Sequence, residues 1–461
     1  MSGRHQRVRV VVVGGGITGL TAAYRLVADG FDVTLIERDL RLGGKILTER
    51  HDGFVLEGGP DAFLAAKSGG RELCAELGVD LVGSQVAAAR ASVMWDGRLY
   101  PVPAGLHGVV PRRILPILGS SLFSPAGKLR MAGGRAMPGR SGADDESLAH
   151  FVRRRWGPEM WDRLVEPLAT GVYAGDGDEL SLHATFPALA DAARDRGRHG
   201  RAGATPAGPA FLTPATGLGD LVEALRQAIG AARIRMGMGA SGIVADGDGY
   251  RVILDAGEPV AADAVIVATP AHAGAHLLAT LDPELGHELR AIPHVSTAIV
   301  TIAVPTAAVA RPAAGHGFVI PRAAGSPVVA CSIISNKLPD RAPAGWTLVR
   351  TFIGRAGQPD PLAWDDDTLI ALARHELRRG MGIEAAPALA RVVRWPAALP
   401  QYTIGHLARL GRIAARLATH PGVAIAGNTD RGIGIPDCIA SADAAVAIVR
   451  RHVDSPESAG R

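Results

Sequence analysis

Three glycines in Gly14-x-Gly16-x-x-Gly19 stand directly after a run of valines and directly before a segment whose apolar residues recur with helical spacing. In that setting glycines allow a tight turn, let a backbone approach a diphosphate, and let the helix pack closely on the strand. The helix N-terminus then offers unpaired N–H groups to phosphate oxygens. Glu37 ends the next strand, 37 − 19 = 18 residues beyond the last glycine. A carboxylate there accepts hydrogen bonds from a ribose diol and repels a 2′-phosphate. The chemistry these residues suit is the binding of a dinucleotide cofactor that itself carries a redox step. A second match, Gly237-x-Gly239-x-x-Gly242, leads into Ile243 to Leu254, which reads as a hairpin rather than a helix, and it is set aside.

Other chemistry finds less support. No GxSxG, HExxH or Walker pattern is present. His272 and His276 are spaced i, i+4 on an expected helix, but no third ligand is near in sequence, so a solvated face is the better reading than a metal site. Cys74, Cys331 and Cys438 are scattered and odd in number, which excludes a disulfide framework or a thiolate zinc site and fits a reducing cytosol.

The elements that must hold the glycine loop follow from the apolar pattern. Val8 to Val13 is continuous valine broken only by Arg9, as a parallel strand covered on both faces requires. A helix over Leu20 to Asp29 and a strand over Phe31 to Glu37 complete a βαβ unit. From about Gly105 to Trp161 the chain reads as helical but interrupted at Pro111, Pro116, Pro125 and Pro138. Arg194 to Pro209 is rich in Gly, Arg and Pro and reads as an exposed loop. Strands are expected at Val252 to Leu254 and Ala264 to Thr269 around the turn Asp255-Ala256-Gly257, and again at Ala298 to Val304, Trp346 to Ile353 and Val423 to Ala426. Helices are expected at Ala271 to Leu281, Leu369 to Arg379 and Ile439 to Arg451.

Composition bounds the rest. With 461 residues and 47% hydrophobic content the chain can bury a large core in two or three units. A formal charge of +4 gives no reason to expect nucleic acid as a partner. Only Lys45, Lys67, Lys128 and Lys337 are lysines among 49 basic residues, so the basic character is arginine and implies no function. The glycine loop begins too early to leave room for a separate signal peptide. The uncharged stretch Ala291 to Ala310 contains Pro293 and Pro305 with several Ser, Thr and His, and reads as a buried strand rather than a membrane span.

After Glu37 the run Arg38 to Lys45 supplies a glycine pair and a base, and Glu57-Gly58-Gly59-Pro60-Asp61 supplies a second flexible turn. From Val10 to Ala62 the chain resembles the N-terminal region of the flavin amine oxidase superfamily, and VVVGGGITGLTAAYRL with GGPDAFL is similar to its porphyrinogen oxidase branch. Further matches run in order along the chain: Glu166-Pro167-Leu168, Gly171 to Asp176, Thr213 to Leu221, Ala268-Thr269-Pro270, Arg394-Trp395, Pro400-Gln401-Tyr402 and Gly432 to Ile439.

The resemblance implies an α/β fold: a Rossmann-like FAD-binding domain of the amine oxidase type, a mixed-sheet substrate domain and a helical subdomain. The domains are expected to be discontinuous, with residues 1–70, 215–275 and 405–455 binding FAD, residues 71–104, 191–214 and 276–404 binding substrate, and residues 105–190 forming the helical part. It implies FAD contacts from Gly14, Gly15, Gly16, Ile17, Thr18 and Gly19, from Glu37 and Arg38, from Gly44 and Lys45 beside the diphosphate, and from Gly59, Pro60, Asp61 and Ala62 near the flavin. Ala240 stands where the family often has a Val touching the adenine. Trp395 would lie against the cofactor, with Ile433, Gly434 and Ile435 facing its ribityl and ring end; a helix N-terminus there can stabilise negative charge on reduced flavin. Asn428 is placed where it could reach ribityl hydroxyls. Lys67 and Val172 match substrate-cavity positions, whereas Asp430 departs from a common aromatic.

The implied activity is oxidation of a porphyrinogen by FAD and molecular oxygen, in three two-electron rounds with hydrogen peroxide as by-product. No catalytic side chain is expected, because hydride loss from a meso carbon between pyrroles needs little acid or base help and the flavin carries the step. Coproporphyrinogen III is the favoured substrate and protoporphyrinogen IX the alternative, ahead of amine or carotenoid oxidation. The setting would be haem synthesis in the cytoplasm, with transient contact to the next haem-pathway enzyme. An apolar surface in region 105–165 would suit peripheral membrane attachment, and its arginines would suit substrate carboxylates.

Overall fold

The computed structural model describes residues 8–86, 91–107, 109–111, 113–133, 145–194, 208–311, 315–430 and 432–455 of the chain. Its first sheet has five parallel strands in the order Ile234–Met236, Asp32–Glu37, Arg9–Val13, Ala264–Val267 and Val423–Ile425. Side chains along a strand alternate between faces, and here each face has its own core. Val10, Val12, Val33, Leu35 and Ile266 pack against the helices Ile17–Ala28, Gly219–Ile229 and Ile435–Val453. Val11, Val13, Ile36, Val265 and Val267 pack on the opposite side, against the helices Ala271–Leu278 and Pro283–Arg290 and the three-stranded sheet Ala240–Asp246, Gly249–Leu254, Val260–Ala262. Both faces are covered, so the strand has no position for a polar residue, and the valine run follows.

The second sheet has seven strands, in the order Leu389–Pro400, His294–Pro305, Trp346–Ile353, Val328–Ile333, Gly317–Val319, Ala91–Trp95 and Arg98–Pro101. It is antiparallel except where Gly317–Val319 runs parallel to Ala91–Trp95, so the sheet is mixed. Its long strand His294–Pro305 accounts for the uncharged stretch: Ala298 to Val304 is buried between two neighbouring strands and beneath the helix Asp366–Met381. Among the described residues, no helix is long and apolar enough to cross a membrane.

The region after residue 105 opens on a small hairpin, Leu106–His107 with Val110–Pro111, where helix was expected. Helices follow, including Ile114–Leu118, Pro125–Gly133, Leu148–Trp156 and Glu166–Tyr173, the last entered through a π turn at Trp161–Val165. Pro125 opens a helix rather than breaking one, since its missing N–H falls where no intrahelical partner exists; Pro138 lies outside the described residues. So does most of the expected loop, residues 195–207.

Two boundaries differ from expectation for local reasons. The turn at Asp255 to Gly257 returns Gly249–Leu254 to Val260–Ala262, not to the strand Ala264–Val267. Asp263 separates the two and ties the chain to Arg9, whose N–H and guanidinium it accepts at 2.8 and 2.7 Å. The last helix begins at Ile435, four residues earlier than expected, because Gly434 donates to the Asp437 carboxylate at 3.2 Å and Pro436 fits the first turn. The second GxGxxG match does run into a hairpin, Ala240–Asp246 with Gly249–Leu254.

Candidate cofactor site

The glycine loop sits between strand Arg9–Val13 and helix Ile17–Ala28, pinned by the Gly14 N–H on the Ile36 carbonyl at 2.8 Å. Two of its glycines do opposite things. A Cβ on Gly19 would meet the Gly14 carbonyl oxygen at 1.8 Å, so close packing of helix on loop excludes any side chain. Gly16 has an ordinary φ of −72°, and a Cβ there would meet no protein atom within 4 Å. Neither backbone nor neighbour demands glycine at 16; the space in front of this helix N-terminus does, if something else fills it.

Glu37 is buried, 8% exposed, and its two carboxylate oxygens accept the Gly15 N–H at 2.5 Å and the Asp39 N–H at 2.9 Å. Ile17 and Thr18 are buried in the first turn of the helix. Arg38 is exposed and near Asp39. The Met238 N–H bonds to the Glu37 carbonyl at 3.0 Å and draws the segment leading to half-buried Ala240 alongside.

A second loop crosses the first. The Gly43 N–H donates to the Gly15 carbonyl at 2.8 Å, and Arg41 clasps the turn by donating to the carbonyls of Leu42, Gly44 and Ile46 at 3.3, 2.5 and 3.1 Å. Lys45 follows, and no carboxylate pairs with its ammonium among the described residues. Burial pushes its pKa below the ordinary lysine range. An ammonium with no carboxylate partner among the described residues, in a turn that crosses the glycine loop at a helix N-terminus, is a chemical fit for a diphosphate.

The turn Gly58 to Ala62 is held through two of its carbonyls. The Trp395 indole donates to the Gly58 carbonyl at 2.7 Å, and the Arg41 guanidinium lies 5.9 Å from its ring. Arg350 donates to the Gly59 carbonyl. Asp61 does not offer its carboxylate to a ligand: Lys337 holds it at 2.8 and 3.0 Å and Arg350 lies 3.3 Å away. Burial works against ionisation of Asp61, but these two cations outweigh it and hold the group below the usual carboxylate range. Pro60 and Ala62 are half-buried on either side.

At the other end of the sheet, Ile433 packs against Tyr173, Leu180 and Tyr402, and Ile435 is buried as the terminal helix begins. The Tyr402 phenol joins both sides of the preceding turn, donating to the Asn428 carbonyl and accepting from the Gly432 N–H. The Lys67 ammonium pairs with Asp437, on the first turn of the terminal helix, at 2.5 Å. Val172 is 48% exposed, beside buried Tyr173. His272 and His276 are exposed, with the His272 ring edge-on to His294 at 4.8 Å. Thus Gly14 to Gly19, Glu37 and Gly43 to Lys45 form one neighbourhood, and the turn at 58–62 abuts it through Trp395 and Arg41. Sequence reasoning missed Arg41, Lys337, Arg350 and Tyr402. The scarcity of lysine was the one signal available for Lys337.

Known proteins resemble this chain along nearly its whole length. A model of the flavin containing amine oxidoreductases matches residues 17–450. The coproporphyrinogen III oxidase of Bacillus subtilis is 35% identical over 95% of this chain and 97% of its own. The chloroplastic protoporphyrinogen oxidase of Oryza sativa is 30% identical over 94% of this chain and 86% of its own. A crystal structure from Exiguobacterium sp. 255-15, provisionally named a protoporphyrinogen oxidase, is 32% identical, covers 97% of this chain and 99% of its own, and superposes with a TM-score of 0.84.

Proposed function

The chain belongs to the flavin-containing amine oxidoreductase family, and from that premise we propose that it oxidises coproporphyrinogen III to coproporphyrin III with FAD as cofactor and molecular oxygen as electron acceptor. The observation that carries the substrate is likeness along nearly the whole chain to an oxidase of that name. The likeness to a chloroplastic protoporphyrinogen oxidase supports protoporphyrinogen IX as the second reading.

The protein's own residues fit the cofactor. The Gly16 space and the helix N-terminus suit the diphosphate, Lys45 supplies its counter-charge, and Glu37 is placed for the ribose diol. In this reading Thr18, Gly44 and Ala240 line the nucleotide half, while Gly59 to Ala62, Trp395 and Ile433 to Ile435 line the flavin half.

FAD supplies a hydride acceptor. The chain has to bring a meso carbon of the macrocycle to that acceptor and keep it oriented. Loss of hydride from a carbon flanked by two pyrroles leaves a delocalised cation, and aromatisation after three rounds drives the sequence forward. Six electrons and six protons leave the porphyrinogen, and three molecules of oxygen become three of hydrogen peroxide. Lys67 and Val172 are the substrate-side residues of this proposal, with Lys67 held in place by its ion pair with Asp437. The work takes place in the cytoplasm, with product passed to a later enzyme of haem synthesis.

The test is anaerobic. Adding coproporphyrinogen III to the yellow holoprotein should bleach the flavin band, and admitting oxygen should restore it with release of peroxide and porphyrin fluorescence. A flavin band unmoved by excess substrate would contradict the reading.

A further inference from the structure

Behind the turn Gly58 to Ala62 the protein buries more positive than negative charge. Lys337, Arg341 and Arg350 are 7%, 1% and 1% exposed, and the carboxylates facing them are Asp61 and Glu57, at 9% and 3%. Asp61 is shared by Lys337 and Arg350. Arg341 donates to the carbonyls of Ala215 and Pro214 at 3.0 and 2.7 Å, so its charge is solvated by dipoles rather than neutralised by contact. Glu57 accepts the Thr48 hydroxyl at 2.7 Å and the Leu218 N–H at 2.8 Å, and burial pushes its pKa above the ordinary value.

The surroundings do not correct the imbalance. Arg50 and Asp220, which lie outward of Arg341, pair with each other at 2.8 Å and cancel. His316 faces Lys337 and Asp61 with its Nε2 on the Gln85 carbonyl; burial disfavours its charged form, and neither of its forms carries negative charge. Among the described residues, three cations therefore face two carboxylates.

An unmatched buried charge is costly unless something opposite in sign is brought to it. The turn in front of this cluster is the one that lies against the flavin ring in the function proposed above, on which the present inference rests. Arg350 reaches that turn directly through the Gly59 carbonyl. We infer that the cluster of Lys337, Arg341, Arg350, Asp61 and Glu57 is a charge-setting device, whose single excess positive charge stabilises the negative charge gained by the cofactor ring on reduction. Lys337 is its positioning residue: it acts through Asp61, offsetting a carboxylate that would otherwise leave the turn electrically neutral.

Three variants of the purified holoprotein separate net charge from structure. Lys337→Met brings the cluster to zero and should shift the reduced-to-oxidised ratio about tenfold toward oxidised flavin, a midpoint about 30 mV lower for a two-electron couple. Asp61→Asn, nearly isosteric, raises the excess to two and should shift the midpoint upward by a similar amount. The double variant restores a single excess charge without the ion pair, and should return to the wild-type midpoint. Sulfite affinity of the oxidised flavin should follow the same order. Midpoints that stay put in holo Lys337→Met and Asp61→Asn, or a double variant displaced further than either single, would overturn the inference. Should Lys337→Met fail to fold, Asp61→Asn and the double variant decide it. A wild-type protein that retains no FAD would overturn instead the cofactor reading beneath it.

Discussion

The Tyr402 phenol donates to the Asn428 carbonyl at 2.6 Å and accepts the Gly432 N–H at 3.1 Å, so one hydroxyl ties together both sides of the turn that delivers the terminal helix. The ring is fully buried, stacked on His406 at 4.4 Å and edge-on to Tyr173 at 5.7 Å. Tyr402→Phe keeps this packing and takes the phenol away from a part-buried carbonyl and a buried N–H. It should cost about 1–3 kcal/mol in urea unfolding, and flavin should be lost more readily on dialysis. Unchanged stability and flavin retention would mean that the turn is held by other contacts.

Gly16 offers a sharper separation of fold from ligand. Its φ suits any residue and a Cβ would meet no protein atom within 4 Å, so Gly16→Val should fold with an apoprotein melting temperature close to that of wild type. The same side chain fills the space assigned to the diphosphate, and flavin per chain should drop at least about tenfold. A variant that purifies with normal FAD would show that the diphosphate lies elsewhere.

Glu37 has two tasks that can be told apart. Its carboxylate accepts two backbone N–H groups within the protein, which Glu37→Gln would weaken by about 1 kcal/mol or more. If it also holds the ribose, the variant should bind FAD about tenfold less tightly while binding FMN as the wild type does. Equal loss for both flavins would assign Glu37 to loop structure alone.

Asp282 provides a pH dependence remote from the flavin. It caps the helix Pro283–Arg290 through the Leu285 N–H at 3.0 Å and holds Arg416 at 2.8 Å, with His420 Nε2 at 3.1 Å. Burial opposes its ionisation, but the bonds from Arg416, the Leu285 N–H and His420 prevail and hold its pKa well below the ordinary carboxylate value. With the folded pKa below the unfolded one, the stabilisation is present above the unfolded pKa of about 3.9 and fades as pH falls below it toward the folded pKa. Asp282→Asn should lose about 1–2 kcal/mol near neutral pH and show a shallower acid decline than the wild type. Unfolding curves that differ equally near pH 7 and near pH 3 would contradict this.

Much of the frame was legible in the residues. A strand of nearly unbroken valine announces cover on both faces, and the structure supplies two separate cores to the alternating side chains of Val10 to Val13. The hairpin was legible in Ile243 to Leu254, and the structure pairs Ala240–Asp246 with Gly249–Leu254. What sequence could not show is long-range pairing. Asp61 stands in a motif whose backbone matters, yet its carboxylate is committed to Lys337, 276 residues away, and no local spacing encodes such a pair. Arg41 was missed for the opposite reason: its partners are within five residues, but an arginine clasping carbonyls leaves no pattern that an exposed arginine lacks. The early start of the terminal helix turned on a cap at Gly434 and Asp437 inside a run that reads as a loop.

The most direct measurement is a paired turnover assay on the FAD-loaded protein, with coproporphyrinogen III and protoporphyrinogen IX supplied separately and porphyrin fluorescence and peroxide followed together. Faster oxidation of coproporphyrinogen III is expected, with three peroxides formed per porphyrin. Preference for protoporphyrinogen IX would contradict the substrate assignment, and flavin-bound protein that oxidises neither would contradict the activity itself.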